Sequence, residues 1–124
     1  MFNDFLESLR AALALKCENA SVELFFRDIS QYKYISQKPV ILVQFCGVEF
    51  EKPLHSSFLS QKATLQVNFY YLTRTLDNAH SEGVFELFED IRTIEGAVPQ
   101  SLKAYSHKKN VSVWEIKTRI VKVF

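Results

Sequence analysis

The sequence predicts an α+β fold: a two-layer sandwich in which a mostly antiparallel sheet of four to five strands carries two helices on one face. Three observations predict it. Two amphipathic segments with helical spacing stand near the start and past the middle of the chain. Alternating or wholly apolar runs of strand length fill the spaces between and after them. At 124 residues, 48% hydrophobic and 14% aromatic, the chain makes one domain, residues 1–124, large enough to bury a core without a metal or disulfide.

The first helix is "NDFLESLRAALALK", with Phe2, Phe5, Leu6, Leu9, Ala12 and Leu13 recurring on one face. Asn3 or Asp4 is placed to cap its start and Asn19 to end it. "SVELFFRDI", Ser21 to Ile29, reads as a strand. "PVILVQFCGVEF", Pro39 to Phe50, is apolar on both faces over its first half. That marks a strand central in the sheet or covered by a neighbouring chain, and Gly47 suits a bulge or a twist near its end. Glu51 to Gln61 is a long loop, of a length that is often functional.

"KATLQVNFYYLTRT" alternates. Leu65, Val67, Phe69 and Tyr71 point one way; Gln66, Asn68 and a half-exposed Tyr70 point the other. The second helix, "LDNAHSEGVFELFEDIRTIEG", has Asp77 or Asn78 as its cap, Gly96 at its end and a stripe of Val84, Leu87, Phe88, Ile91 and Ile94. After Pro99, "SLKAYSHKKN" reads as an edge strand and a turn at Lys109–Asn110. In the last strand, "VSVWEIKTRIVKVF", Trp114, Ile116 and Ile120 share one face and Glu115, Lys117 and Arg119 the other. Short connections make the pairing mostly antiparallel. One core is expected to join Leu65, Val67, Phe69, Trp114, Ile116 and Ile120 to Phe5, Leu9, Leu87, Phe88 and Ile91.

The chemistry-bearing residues are scattered. His55, His80 and His107 stand alone in sequence, and Cys17 and Cys46 are not spaced as a metal or redox pair. Three glycines form no phosphate cradle. No catalytic residue, metal or cofactor is expected, and the chain is not read as an enzyme. A net charge of +1 is too small to steer the whole molecule to nucleic acid or an anionic membrane. No apolar run reaches the roughly 18 residues of a membrane span. The start carries an acid and no small-residue cleavage site, so no signal peptide is expected, and reduced thiols in the cytoplasm follow. The strand "NFYYLTR" has no glycine, and the strand order does not fit an RNA-binding sheet motif, which alternates aromatics with glycine and basic residues.

What remains is charge patterning. Glu82, Glu86, Glu89 and Asp90 line one face of the second helix, where like charges one turn apart repel mildly. Lys103, His107, Lys108 and Lys109 form a basic stretch elsewhere. Acidic and basic patches on different parts of one molecule can meet between copies, a heterologous contact that closes a ring or runs on as a filament.

In its layout the chain resembles the tail terminator, or tail completion, proteins of tailed bacteriophages. The Mu-type tail completion family and the lambda-type tail-tube terminator are among them. The pieces that carry the resemblance are the N-terminal helix, "PVILVQFCGVEF", "ATLQVNFYYLTRT", "AHSEGVFELFEDIRTIEG" and "VSVWEIKTRIVKVF". The resemblance implies a structural virion protein that caps the head-proximal end of the tail tube, ends tube polymerisation and joins the tail to the head connector protein. It implies a ring, typically a hexamer, resting on the tail tube protein, with DNA only as passing cargo. The protein would belong to the virion tail, and to the host cytoplasm during assembly.

On that reading Glu82, Glu86, Glu89, Asp90, Lys103, Lys108 and Lys109 are subunit-interface candidates. Leu54, His55, Phe58 and Leu59 in the long loop are tube-contact candidates. Glu115, Lys117 and Arg119 face the lumen or a neighbour. The competing expectation is a small cytoplasmic adaptor or inhibitor that binds a partner through its sheet edge.

Overall fold

A computed structural model describes residues 2–35, 38–51, 62–74, 79–108 and 111–123. The elements run α1 (Phe2–Lys16), β1 (Ser21–Leu24), a 3-10 turn (Ile29–Gln31), β2 (Val40–Phe50), β3 (Lys62–Arg74), α2 (Ala79–Arg92), β4 (Ala97–Lys108) and β5 (Val111–Val123). The five strands form one sheet in the order β1-β2-β3-β5-β4. All pairs are antiparallel except β1 with β2, which is parallel. The fold is therefore the α+β sandwich that the sequence predicts, with one parallel edge.

The strand periodicity sorts the sheet into two faces. On β3, Ala63, Leu65, Val67, Phe69 and Tyr71 join Leu9 and Leu13 of α1, Leu87 and Ile91 of α2, and Ile116 and Ile120 of β5 in one core. Both helices thus lie on that face. Phe5, Phe88 and Trp114 pack against the core but are only partly buried. The orientation expected for β5 holds, although Trp114 is half-buried at the margin. Ala12, expected on the apolar stripe of α1, is exposed: it falls between Leu9 and Leu13, which are buried, and is turned outward. The helix begins at Phe2, so Asn3 and Asp4 lie in its first turn rather than at its cap. It ends at Lys16, and Asn19 sits in the turn that Ala20 N–H closes onto the Cys17 carbonyl at 3.1 Å.

The other face carries a second core. Val40, Leu42, Tyr70, Leu72, Val111 and Val113 are buried there with Tyr34, and Phe25, Ile29 and Tyr32 pack against them. These last residues belong to the connection between β1 and β2, which crosses this face as a strap. The strand expected over Ser21–Ile29 stops at Leu24 because the chain leaves the sheet to make this crossing. Several bonds hold the strap. Asp28 caps the 3-10 turn, accepting from Ser30 N–H at 2.9 Å. The Tyr32 hydroxyl donates to Glu23 at 2.7 Å, and the Tyr34 hydroxyl to the Lys38 carbonyl at 2.6 Å. Phe25 and Tyr32 meet edge to face at 5.3 Å.

The strap explains why β2 is apolar on both sides: Ile41 and Val43 face the helices, and Val40 and Leu42 face the strap. No neighbouring chain is needed to cover it. The strap also buries Tyr70 to 4% exposure, where the alternation had suggested half exposure. Its hydroxyl is satisfied, accepting from Asn68 Nδ2 and donating to Gln44 Oε1, each at 3.2 Å.

The expected bulge appears between Phe45 and Gly47. After α2 the chain turns through Thr93–Gly96. Gly96 has φ of 79°, and a Cβ there would collide with the Val121 carbonyl, so this turn into β4 requires glycine. β4 starts at Ala97, earlier than expected, and irregularities flank Gln100 and His107 where the register shifts. The caps Asp77 and Asn78, the loop residues Leu54, His55, Phe58 and Leu59, and the turn residues Lys109 and Asn110 lie outside the described residues.

Candidate functional site: two opposed surfaces

Among the described residues, two regions stay open after the two cores are filled: the outer side of the helix layer around α2, and the part of the far sheet face beyond the strap. α2 presents its buried stripe of Val84, Leu87 and Ile91 to the sheet, so Phe85, Glu86 and Glu89 face outward and are exposed. Phe85 is 53% exposed, a large apolar residue left in solvent. On one side of it lies an apolar groove of about 310 Å³, walled by Phe88 and, from β4, by Pro99 and Leu102. On the other side it borders a shallow cleft with Lys16, Glu86, Glu89 and Asp90. Glu89 pairs with Arg92 at 3.4 Å, and the Lys16 ammonium donates to the Thr93 hydroxyl. Glu86 has no ion-pair partner among the described residues.

Between the end of α1 and α2 lies a more polar cavity of about 390 Å³, lined by Cys17, Tyr71, Gly83, Glu86 and Asp90 among others. Gly83 permits the close packing here, since a Cβ would strike the Tyr71 hydroxyl. The Cys17 thiol donates to Asp90 Oδ2 at 3.4 Å. Burial pushes the Cys17 pKa up to about 12, and the neighbouring Asp90 carboxylate adds to the shift. A reactive cysteine needs the opposite surroundings, a cation or helix N-terminus that favours thiolate. This cavity therefore holds a protonated thiol, not a nucleophile. Among the described residues no group of three histidine, cysteine or acidic side chains is placed to hold a metal ion.

Among the described residues, the far face beyond the strap is mostly polar. Cross-strand pairing sets Asn68 of β3 opposite Lys117 of β5, and Gln66 opposite Arg119. From the edge, Lys103 of β4 stands opposite Glu115, and Ser101 opposite Lys117. Lys117 approaches Glu115 at 4.0 Å; its own side chain is 57% exposed, that of Glu115 only 15%. Of the three candidates on this strand, Lys117 and Arg119 are exposed, and Glu115 is mostly covered.

The structure thus divides the interface candidates between two layers. Glu86, Glu89 and Asp90 lie on the helix layer, while Lys103 lies on the far sheet face. Asp90 is half-buried and engaged with Cys17. Glu82 falls in α2 and Lys108 in β4, but their side chains, like those of His80 and His107, lie outside the described residues, as does Lys109.

Two features escaped the sequence. The strap looked like the end of a strand followed by a loop, although its aromatics at 25, 26, 32 and 34 are more than a solvated loop needs. The Phe85 groove depends on where β4 passes under α2, which no local pattern states.

No protein-family model matches the chain, and the search of curated proteins found no match.

Proposed function

We propose that this protein is a non-enzymatic structural subunit that caps the head-proximal end of a phage tail tube. It ends tube polymerisation and joins the tail to the head connector. The reading rests on the resemblance of the chain's layout to tail terminators. The observation that carries it furthest is the presence of two unlike open surfaces on opposite layers of one small domain. One is an acidic helix layer with an exposed aromatic, and the other a polar sheet face bearing Lys103, Lys117 and Arg119. Unlike surfaces on one subunit link copies head to tail, as a ring requires.

In this proposal the ring, a hexamer, sits on the tail tube protein, and DNA passes through it only as cargo. The protein acts in the virion tail after assembly in the host cytoplasm. The test is the length of tails made by a phage that lacks this gene. Overlong, headless tubes, restored to normal length by supplying the protein, are expected. Tails of normal length without it would refute the proposal.

One observation favours a second reading, an adaptor or inhibitor that binds through its sheet edge. β4 is terminal in the sheet and runs for 12 residues. A long edge strand offers a row of backbone groups that can pair with an added strand. Recovery of a tightly bound host protein, with no effect on tail length, would favour this reading.

A further inference from the structure

Seven large apolar side chains are exposed among the described residues, and two of them, Phe26 at 64% and Ile35 at 84%, lie on the strap. The strap's outer side is basic, with Arg27, Lys33 and Lys38 all exposed. Its one acid, Asp28, is committed to capping the 3-10 turn. Phe26 and Arg27 sit where the strap leaves β1: Phe25 N–H still pairs with the Val43 carbonyl, and Gln44 donates to the Arg27 carbonyl. This is the β1 side of the molecule. The Phe85 groove is at the opposite side of the sheet, where α2 meets β4.

We infer that the Phe85 groove of one copy receives the Phe26–Arg27 corner of the next copy. Phe26 enters the apolar part, between Phe88 and Leu102, and Arg27 comes to Glu86 and Glu89. Size and charge argue for this occupant. The groove, at about 310 Å³, is at the bottom of the range for small-molecule pockets, roughly 300–1,000 Å³, which leaves room for one large side chain. Across Phe85 lies the cleft with Glu86, Glu89 and Asp90; of the cations there among the described residues, Lys16 is held by Thr93 and Arg92 pairs with Glu89, which leaves Glu86 open.

An aromatic followed directly by arginine matches that layout, and both residue types are enriched at the centres of protein contacts. Lys103 suits the role less well than Arg27. It lies on the far face of β4, the edge strand that also walls the groove, and so is not on the β1 edge where Phe26 and Arg27 sit. The contact joins two different surfaces and leaves the pair with one of each kind free, one on each copy. Copies therefore add head to tail. This deepens the proposed function, on which it rests for its purpose but not for its existence.

The test uses two half-blocked variants of the full chain, studied by sedimentation velocity and mass photometry. The first carries Phe26→Ser and Arg27→Glu; the second carries Phe85→Ser and Glu86→Lys. All four positions are exposed, and circular dichroism confirms that each variant is folded. The unmodified protein is expected to associate beyond a dimer as concentration rises. Each variant alone should lose association by about tenfold or more, and an equimolar mixture should stop at a heterodimer.

A monomeric unmodified protein at every concentration up to about 1 mM, where only contacts weaker than about −4 kcal/mol would escape, overturns the inference. So does a variant that assembles as well as the unmodified protein, or a mixture that gains nothing. If the half-blocked variants lose association yet still restore tail length, the contact stands and the capping role fails to depend on it. If association is intact and tail length is unaffected by the gene, the capping role alone is lost.

Discussion

Thr118 is fully buried on the helix side of β5, and its hydroxyl has no hydrogen-bond partner among the described residues. A buried hydroxyl left unpaired costs about 1–3 kcal/mol. Valine has nearly the same shape and is at home in strands. Thr118→Val is therefore expected to raise stability by about 1 kcal/mol, seen as a higher urea midpoint with an unchanged slope; a fall of that size would mean that the hydroxyl has a partner. Cys17 makes a pH prediction. Its folded pKa is raised from the ordinary 9.0 to about 12, so the unfolded chain loses this proton first as pH rises. The contribution to stability is fully present below pH 9 and is lost progressively between about 9 and 12. Cys17→Ala should shallow the decline of stability over that window by up to one proton's worth of slope. An equal decline in both proteins would show that the thiol is solvated. At neutral pH, thiol reagents should modify exposed Cys46 well before Cys17.

Among the elements, those with a clean period were legible in the sequence. β3 alternates, and its odd-numbered residues from Ala63 to Tyr71 are all in the main core. α2 recurs at helical spacing, and Val84, Leu87 and Ile91 are buried. The strap was not legible. Phe25, Ile29, Tyr32 and Tyr34 follow neither a period of two nor one of 3.6, and their burial is decided by a parallel crossover that forms only once β1 and β2 pair. The exposed charges were legible as patches, but which layer each occupies depends on the sheet order. Lys103 falls on the edge strand beside α2 but on the opposite layer from its acids. The packing of α2 on the sheet can be tested through Gly83. Gly83→Ala would favour the helix by about 1 kcal/mol in isolation. Here its Cβ meets the Tyr71 ring and hydroxyl, and Tyr71 is only 7% exposed, so the ring has little room to give way. A net loss of about 1–3 kcal/mol is expected. Tyr71→Phe should recover part of that loss in a double-mutant cycle. Strict additivity would separate the two residues.

At the scale of the whole molecule, the strap and the two helices protect opposite faces of one sheet but at different places. The helix layer covers its face with an acidic exterior. The strap covers one end of the other face, and the described residues at its other end are mostly polar. The result is a domain whose two sides differ in charge and shape, while its net charge of +1 leaves little self-repulsion between copies. Such a subunit is suited to repeated head-to-tail contact, with its charged rims setting register more than strength. Association should weaken as salt is raised from about 0.05 to 0.5 M, where the screening length falls well below 10 Å. The most direct measurement of the central claim is the growth of purified cognate tail tubes in the presence of gold-labelled protein, followed by electron microscopy. The account predicts that growth stops and that label sits at one end of each tube. Tubes that grow to the same lengths with and without the protein, or that carry label along their sides, would contradict it.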